Sequence, residues 1–265
     1  MNYPLSYGEH AINHFTRRSA AEKARFLIPY LREDFHLLDC GCGPGSITVD
    51  FAEILKSGHV TGVDFDSQQF QWGQNEAHKR GIQNLSFYEG DIHALPFEDH
   101  TFDVVFTHAV LWTTPRPAIA LHEMKRVLKP GGIIACREID RRSFSIHPAS
   151  SILFKGFELQ TQGLLASGAH CFLGSELKEL FKKAGLKNIQ ASLATDYFDK
   201  QEDLSDIAVY FIKNWTNSPW AEKVRFLRLA SDEEIEAIKK SWQKWGGHPE
   251  AHVSGTFGEA IGFKP

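Results

Sequence analysis

Three glycines on alternate positions, Gly41, Gly43 and Gly45, separate the apolar run HLLDC from the helical pattern SITVDFAEIL. Glycines so spaced destabilise a chain unless the backbone must bend sharply or lie against something. A glycine-rich turn that follows a strand and opens a helix is the setting in which α/β folds hold nucleotide-like cofactors. The chain around it fits that setting. From Ala20 to about Ile139 helical and strand patterns alternate, which predicts parallel βαβ units. Strands are expected at HLLDC, HVTGVDF, NLSFYEGD, TFDVVFTHAVL and GGIIACREI, and helices at AAEKARFLIPYL, SITVDFAEIL, SQQFQWGQNEAHKRG and RPAIALHEMKRVL.

After Ile139 the rhythm changes. The helix SELKELFKKAG and the strands KNIQASLATDYF and VSGTFGEAIGF still suit the sheet. Two helical stretches, at about 143–170 and 203–246, do not, and are expected to form a cap over the open edge of the sheet. Residues 1–19 are too rich in aromatics and histidines (Tyr3, Tyr7, His10, His14, Phe15) for an inert tail and are expected to close over the site.

The loop spacing is G-x-G-x-G rather than the G-x-G-x-x-G of dinucleotide folds, and Asp39 sits two residues before its first glycine. A pyrophosphate needs unneutralised N–H groups, so a carboxylate there is unhelpful. A cofactor carrying an ammonium and a sulfonium, and no phosphate, suits it: S-adenosyl-L-methionine. Asp64 ends the second strand, nineteen residues after Gly45, where a ribose needs an acceptor. Asp91 follows the third strand, placed to accept from an adenine amino group while Ile92 covers a ring face. Each acid alone is equally an ordinary turn former. Together they mark one carboxyl edge of the sheet, where open α/β folds bind ligands.

The series LLDCGCGPG, GVDFD, EGDIHALPFEDHTFDVVFTHAVL and EMKRVLKPGG resembles class I S-adenosylmethionine-dependent methyltransferases, in particular the ubiquinone/menaquinone-biosynthesis type that acts on small molecules. The resemblance spans roughly residues 20 to 140. It implies a Rossmann-like α/β fold whose seven-stranded sheet has its last strand antiparallel. It also implies that Gly41 and its neighbours hold the aminoacyl end of the cofactor, Asp64 the ribose, and Asp91 with Ile92 the adenine. His108 lies where that family lines the floor beside the cofactor. The cofactor-binding set is thus Asp39, Gly41, Cys42, Gly43, Gly45, Asp64, Phe65, Gln69, Asp91, Ile92 and His108. Cys40 departs from the branched aliphatic usual in the family.

For the acceptor side the sequence offers Tyr7, His14, Trp112 and Glu138, with His108 as a candidate general base. Arg17 and Arg18 are read as surface residues, with approach to the cofactor carboxylate or an acidic acceptor as the alternative, and the Arg141–Arg142 pair as a solvated face. Apolar residues of the cap, among them Ile152, Leu153, Phe154, Phe157, Leu164, Leu165, Tyr210, Phe211 and Trp215, suit a small, partly apolar acceptor and equally a homodimer interface. A net charge of -4 in 265 residues provides no field for nucleic acid. His147, His170, His248 and His252 are too dispersed for a metal site, and no metal is expected. The four cysteines, Cys40, Cys42, Cys136 and Cys171, read as buried thiols in a reducing compartment. With no signal-like or membrane-spanning stretch, a cytoplasmic location is expected. The main alternatives are a methyltransferase acting on RNA or protein and a non-catalytic cofactor-binding protein; THAV stands after the fourth strand in place of the NPPY-type tetrapeptide of amino-methylating nucleic-acid enzymes.

Overall fold

The computed structural model describes Leu5 and residues 9–265. Strands β1 (His36–Cys40), β2 (His59–Asp64), β3 (Leu85–Glu89), β4 (Phe102–His108), β5 (Leu128–His147), β6 (Lys187–Phe198) and β7 (His252–Phe263) form one sheet in the order β3-β2-β1-β4-β5-β7-β6. β1 to β5 pair in parallel, and β7 runs antiparallel to both β5 and β6. This is the expected seven-stranded sheet. Its central strands are apolar on both faces, as a doubly covered parallel sheet requires. Leu37, Val104 and Phe106 face one side with Phe51 and Leu55, and Leu38, Cys40 and Val105 face the other with Leu121 and Met124.

The helices that follow the alternation are α3 (Ser46–Ile54), α4 (Phe70–Lys79), α5 (Pro117–Val127) and α7 (Leu173–Lys183). Two expectations are corrected. The helix expected over residues 20–31 is only α2 (Ala20–Lys23) followed by a 3-10 turn at Ile28–Tyr30. Pro29 has no N–H to continue an α-helical ladder. The strand expected to end at Ile139 continues to His147, because the polar segment after it finds a partner in the start of β7: Ser145, Ile146 and His147 pair with Ser254, Val253 and His252 after a register shift beyond Asp140. The extension carries β5 past the tips of its parallel neighbours.

The remaining helices are α1 (Glu9–Phe15), α6 (Ser151–Ala166), α8 (Gln201–Asn217), α9 (Pro219–Phe226) and α10 (Asp232–Gly246). α10 opens on a capping box in which Ser231 and Glu234 each bond the other's backbone N–H. Aromatic packing unites α6, α8 and α10: Phe211 stacks on Trp242 at 4.3 Å between ring centroids, and Phe157 meets both edge-on. The Trp245 indole N–H donates to the His147 carbonyl at 2.9 Å, tying these helices to the end of β5. Leu153, Phe157 and Leu164 of α6 point into this core, whereas Ile152, Phe154 and Leu165 are exposed. Among the described residues no helix is long and apolar enough to cross a membrane.

α7 reaches the sheet through a glycine contact. A Cβ on Gly258 of β7 would lie 1.7 Å from the Gly174 carbonyl oxygen at the start of α7, with no flexible atom to give way. Gly258→Ala is expected to cost about 2–3 kcal/mol of stability in urea unfolding. Gly247→Ala, whose added Cβ meets only a carbonyl at 4.0 Å, is expected to change stability by no more than about 0.5 kcal/mol.

Candidate active site

A cavity of about 350 Å³ opens at the carboxyl ends of β1, β2 and β4, roofed by residues of α1 and α8. Its acidic end is built by the glycine loop. The N–H groups of Gly41 and Cys42 both donate to the Val63 carbonyl, at 2.7 and 3.1 Å, which folds the tip of β1 over that of β2. Gly41 has φ +73° and a Cβ there would strike Val110 at 2.4 Å; only glycine makes this turn. Gly43 faces open space, a Cβ meeting nothing closer than the Gln69 Oε1 at 3.5 Å.

Two carboxylates sit beneath this loop. Asp39 shares a face with Leu37 and so meets α3, where the Thr48 hydroxyl donates to it at 2.7 Å. Burial, with the charge of Asp64 added, pushes its pKa up to about 7. Asp64 accepts N–H bonds from Gly43 at 2.9 Å and Asp66 at 3.2 Å, yet burial still raises its pKa. Among the described residues neither acid has a cationic partner. Beside them Gln69 is 2% exposed, and neither its amide nitrogen nor its amide oxygen has a hydrogen-bond partner among the described residues. A buried amide left wholly unpaired costs stability and calls for a ligand.

His108 forms part of the wall opposite. Its Nδ1 lies 3.3 Å from the Arg137 carbonyl oxygen, which can only accept, so the proton is on Nδ1 and the lone pair on Nε2. Burial, reinforced by the charges of Arg18, Arg137 and Lys23, holds its pKa well below the ordinary histidine value. The ring is therefore neutral and weakly basic. Next to it Ala109 takes a left-handed φ of +57°, a strained conformation for alanine of the sort found at functional turns.

Thus Asp39, Gly41, Cys42, Gly43, Asp64, Phe65, Gln69, Ile92, His108, His14 and Trp112 meet around one cavity. Tyr7 lies outside the described residues. Three expected residues are not on its wall. Gly45, with φ +84°, opens α3 and is packed against the Phe87 ring, where a Cβ would sit at 2.6 Å; it serves packing rather than approach to a ligand. Asp91 is half exposed and lies off the wall, one carboxylate oxygen accepting the His93 backbone N–H at 2.9 Å and meeting the His93 ring nitrogen at 2.7 Å. Glu138 is fully buried below the site, where it accepts backbone N–H bonds from Val110, Leu111 and Trp112 at 3.2, 2.9 and 3.3 Å. It fixes the turn after β4 instead of meeting a ligand, and burial raises its pKa to about 7 against the pull of those donors.

The other end of the cavity was not legible in the sequence. Arg17 does not face solvent alone: it ion-pairs with Glu202, Asp203 and Asp206 of α8, while His14 stacks on Tyr210 at 4.8 Å. The N-terminal segment is thereby strapped to α8. Arg18 lies at the wall, its guanidinium 4.4 Å from the centre of the Phe15 ring. Lys23 and Arg137 share Asp196, at 3.0 and 2.7 Å. Phe144, Ile207, Tyr210 and Phe211 supply an apolar wall, and Arg141 points inward. Arg141 carried no local signal, because the expected fifth strand ends at Ile139 and the Arg–Arg pair falls in the register shift after Asp140.

The methyltransferase-domain family matches residues 31–188. The chain is 33% identical over 234 residues to an uncharacterized methyltransferase of Schizosaccharomyces pombe, covering 83% of this chain and 81% of that one. It is 31% identical over 173 residues to demethylmenaquinone methyltransferase of Staphylococcus aureus, covering 60% and 71%. Among solved structures, the YcgJ protein of Bacillus subtilis superposes with a TM-score of 0.60 at 19% identity, over 91% of this chain and 97% of that one.

Removing the Glu138 carboxylate would orphan three buried N–H groups. Glu138→Ala is expected to lower stability by about 3 kcal/mol or more in equilibrium unfolding, with the turn at residues 109–113 becoming susceptible to amide exchange.

Proposed function

The chain belongs to the methyltransferase-domain family and carries the class I sheet; from that premise we propose that it moves the methyl group of S-adenosyl-L-methionine to a small, partly apolar acceptor. The observation that carries the reading is a pair of buried carboxylates, Asp39 and Asp64, which among the described residues have no cationic partners and stand beside the unpaired amide of Gln69. A cationic, phosphate-free nucleoside completes such a site, and a diphosphate is repelled by it.

In this reading Asp64 receives the ribose hydroxyls, and Gln69 finds there the partners it lacks. Asp39 and the open backbone at Gly43 face the charged aminoacyl end, while Phe65 and Ile92 cover the base. When bound, the cofactor supplies an electrophilic methyl carbon, which takes a lone pair of the acceptor as the carbon–sulfur pair returns to sulfur. The protein's part is placement and exclusion of water. Orientation alone can supply on the order of 7–11 kcal/mol. α1, strapped through Arg17 to α8, roofs the cavity, and Phe144, Ile207 and Phe211 give it an apolar acceptor side. His108, neutral and with its lone pair on Nε2, orients an acceptor O–H or N–H by accepting its hydrogen bond. A cavity of about 350 Å³ beneath a roof of helices supports a small acceptor over RNA or protein. A screen of metabolites and macromolecules with labelled methyl donor tests this: label confined to RNA or protein overturns the small-molecule reading.

Calorimetry is expected to detect S-adenosylmethionine and its demethylated product but not NAD; the reverse pattern defeats the proposal. Asp64→Ala is expected to weaken cofactor binding by about tenfold or more through loss of a charged hydrogen-bond acceptor. The pKa of Asp39, raised to about 7, sets a pH dependence. Below that value the free protein holds Asp39 protonated, and the cationic ligand must displace the proton. Affinity for S-adenosylmethionine therefore rises as pH increases from about 6 to about 8, and Asp39→Asn flattens the profile. The same shift works oppositely on the free protein: a carboxyl raised above its unfolded value stabilises at low pH, and that contribution fades as pH rises through 7.

A further inference from the structure

We propose, resting on the methyltransferase reading above, that the acceptor is a carboxylate carried on an apolar, ring-sized body, and that Arg141 binds that carboxylate. Arg141 carries a charge with no counter-charge among the described residues. Arg141 sits on the part of β5 that extends past the sheet edge, and its side chain lines the cavity. Its Nε donates to the Thr161 hydroxyl at 3.1 Å and one Nη to the Gln160 amide oxygen at 2.7 Å, both on α6. Both partners are neutral. No carboxylate of the described residues lies within ion-pair distance of it.

The acids nearby are already engaged. Asp196 is shared by Lys23 and Arg137, and Asp203 is held by Arg17. Arg142, the next residue, pairs in the ordinary way with Asp140 at 2.6 Å. Arg141 alone of the two is turned inward and left unneutralised. Placing a guanidinium in a low-dielectric wall without an anion is costly. Burial indeed pulls its pKa below the usual arginine value.

Two neutral hydrogen bonds fix the plane of the guanidinium without using up its donors. A fork with free N–H groups, pre-oriented by its supports, matches the two oxygens of a carboxylate. Beside it Phe144, Ile207 and Phe211 offer a surface for a flat apolar body, and Phe211 is itself braced by stacking on Trp242. The cavity is thus polarised: carboxylates at the glycine loop, a guanidinium at the cap. A cationic donor and an anionic acceptor sort themselves to opposite ends.

The test is calorimetry on the full chain loaded with S-adenosylhomocysteine. The probes are benzoate, phenylacetate and the three hydroxybenzoates, each against its neutral amide. At least one acid is expected to bind about tenfold or more tightly than its amide, as loss of a charged hydrogen bond predicts. Arg141→Met is expected to erase that gap while S-adenosylhomocysteine affinity stays within about twofold, which also shows the variant is folded. Arg141→Lys, which keeps the charge but not the fork, is expected to recover only part of the gap. Acid and amide binding equally across the panel, no probe binding at all, or a gap that survives Arg141→Met overturns the proposal. A wild-type protein that binds S-adenosylhomocysteine yet ignores the carboxylate sinks this inference alone. Failure to bind S-adenosylhomocysteine sinks the methyltransferase reading and this inference with it.

Discussion

Two carboxylates buried at adjacent strand tips impose the main constraint on this molecule. Asp39 and Asp64 come together because the glycine loop hangs two N–H groups on one carbonyl of β2, pulling the ends of β1 and β2 into contact. Burial raises the pKa of both acids, with the charge of Asp64 adding to the shift at Asp39 and that of Asp66 to the shift at Asp64. Hydrogen bonds from Thr48, Gly43 and Asp66 soften this but bring no positive charge. Such an arrangement is unfavourable by itself and becomes favourable with a cation between the loop and the cap. The fold stores a demand for a particular kind of ligand.

The opposite wall answers with the opposite sign. β5 overruns the sheet edge, α6 receives its side chains, and α8 is clamped to the N-terminal segment by Arg17. Aromatic packing among Phe157, Phe211 and Trp242 makes this roof a small core of its own. The roof is therefore held by its own packing, and its charges stay where the backbone puts them. Glu138 does the same service underneath, holding three N–H groups of the turn that carries Trp112.

Much of the acidic end of the cavity could be read from the residues because its signals are local. A glycine turn, an acid before it and an acid at the next strand end are fixed by spacing along a short stretch of chain. Even there, spacing did not decide occupancy. Asp91 has the right position, but it stays off the cavity wall with one carboxylate oxygen turned to His93, two residues on. Gly45 has the right spacing, but Phe87 fills the space where a ligand was expected. Glu138 has the right strand, but the next turn of chain folds over it. In each case a neighbour decided what the residue meets.

The sequence by itself determined the sheet, the glycine turn and the acidic half of the site, because period, punctuation and strand-end position are written in consecutive residues. Tertiary structure alone decided the basic half. Which of Arg141 and Arg142 faces inward is settled where β5 leaves its register with β7, between Asp140 and Ser145, and Arg141 meets Cys171, Gln160 and Thr161 instead; the clamp of Arg17 depends on helix α8. No period in the sequence encodes those meetings; they follow from which apolar faces the packed chain buries against each other.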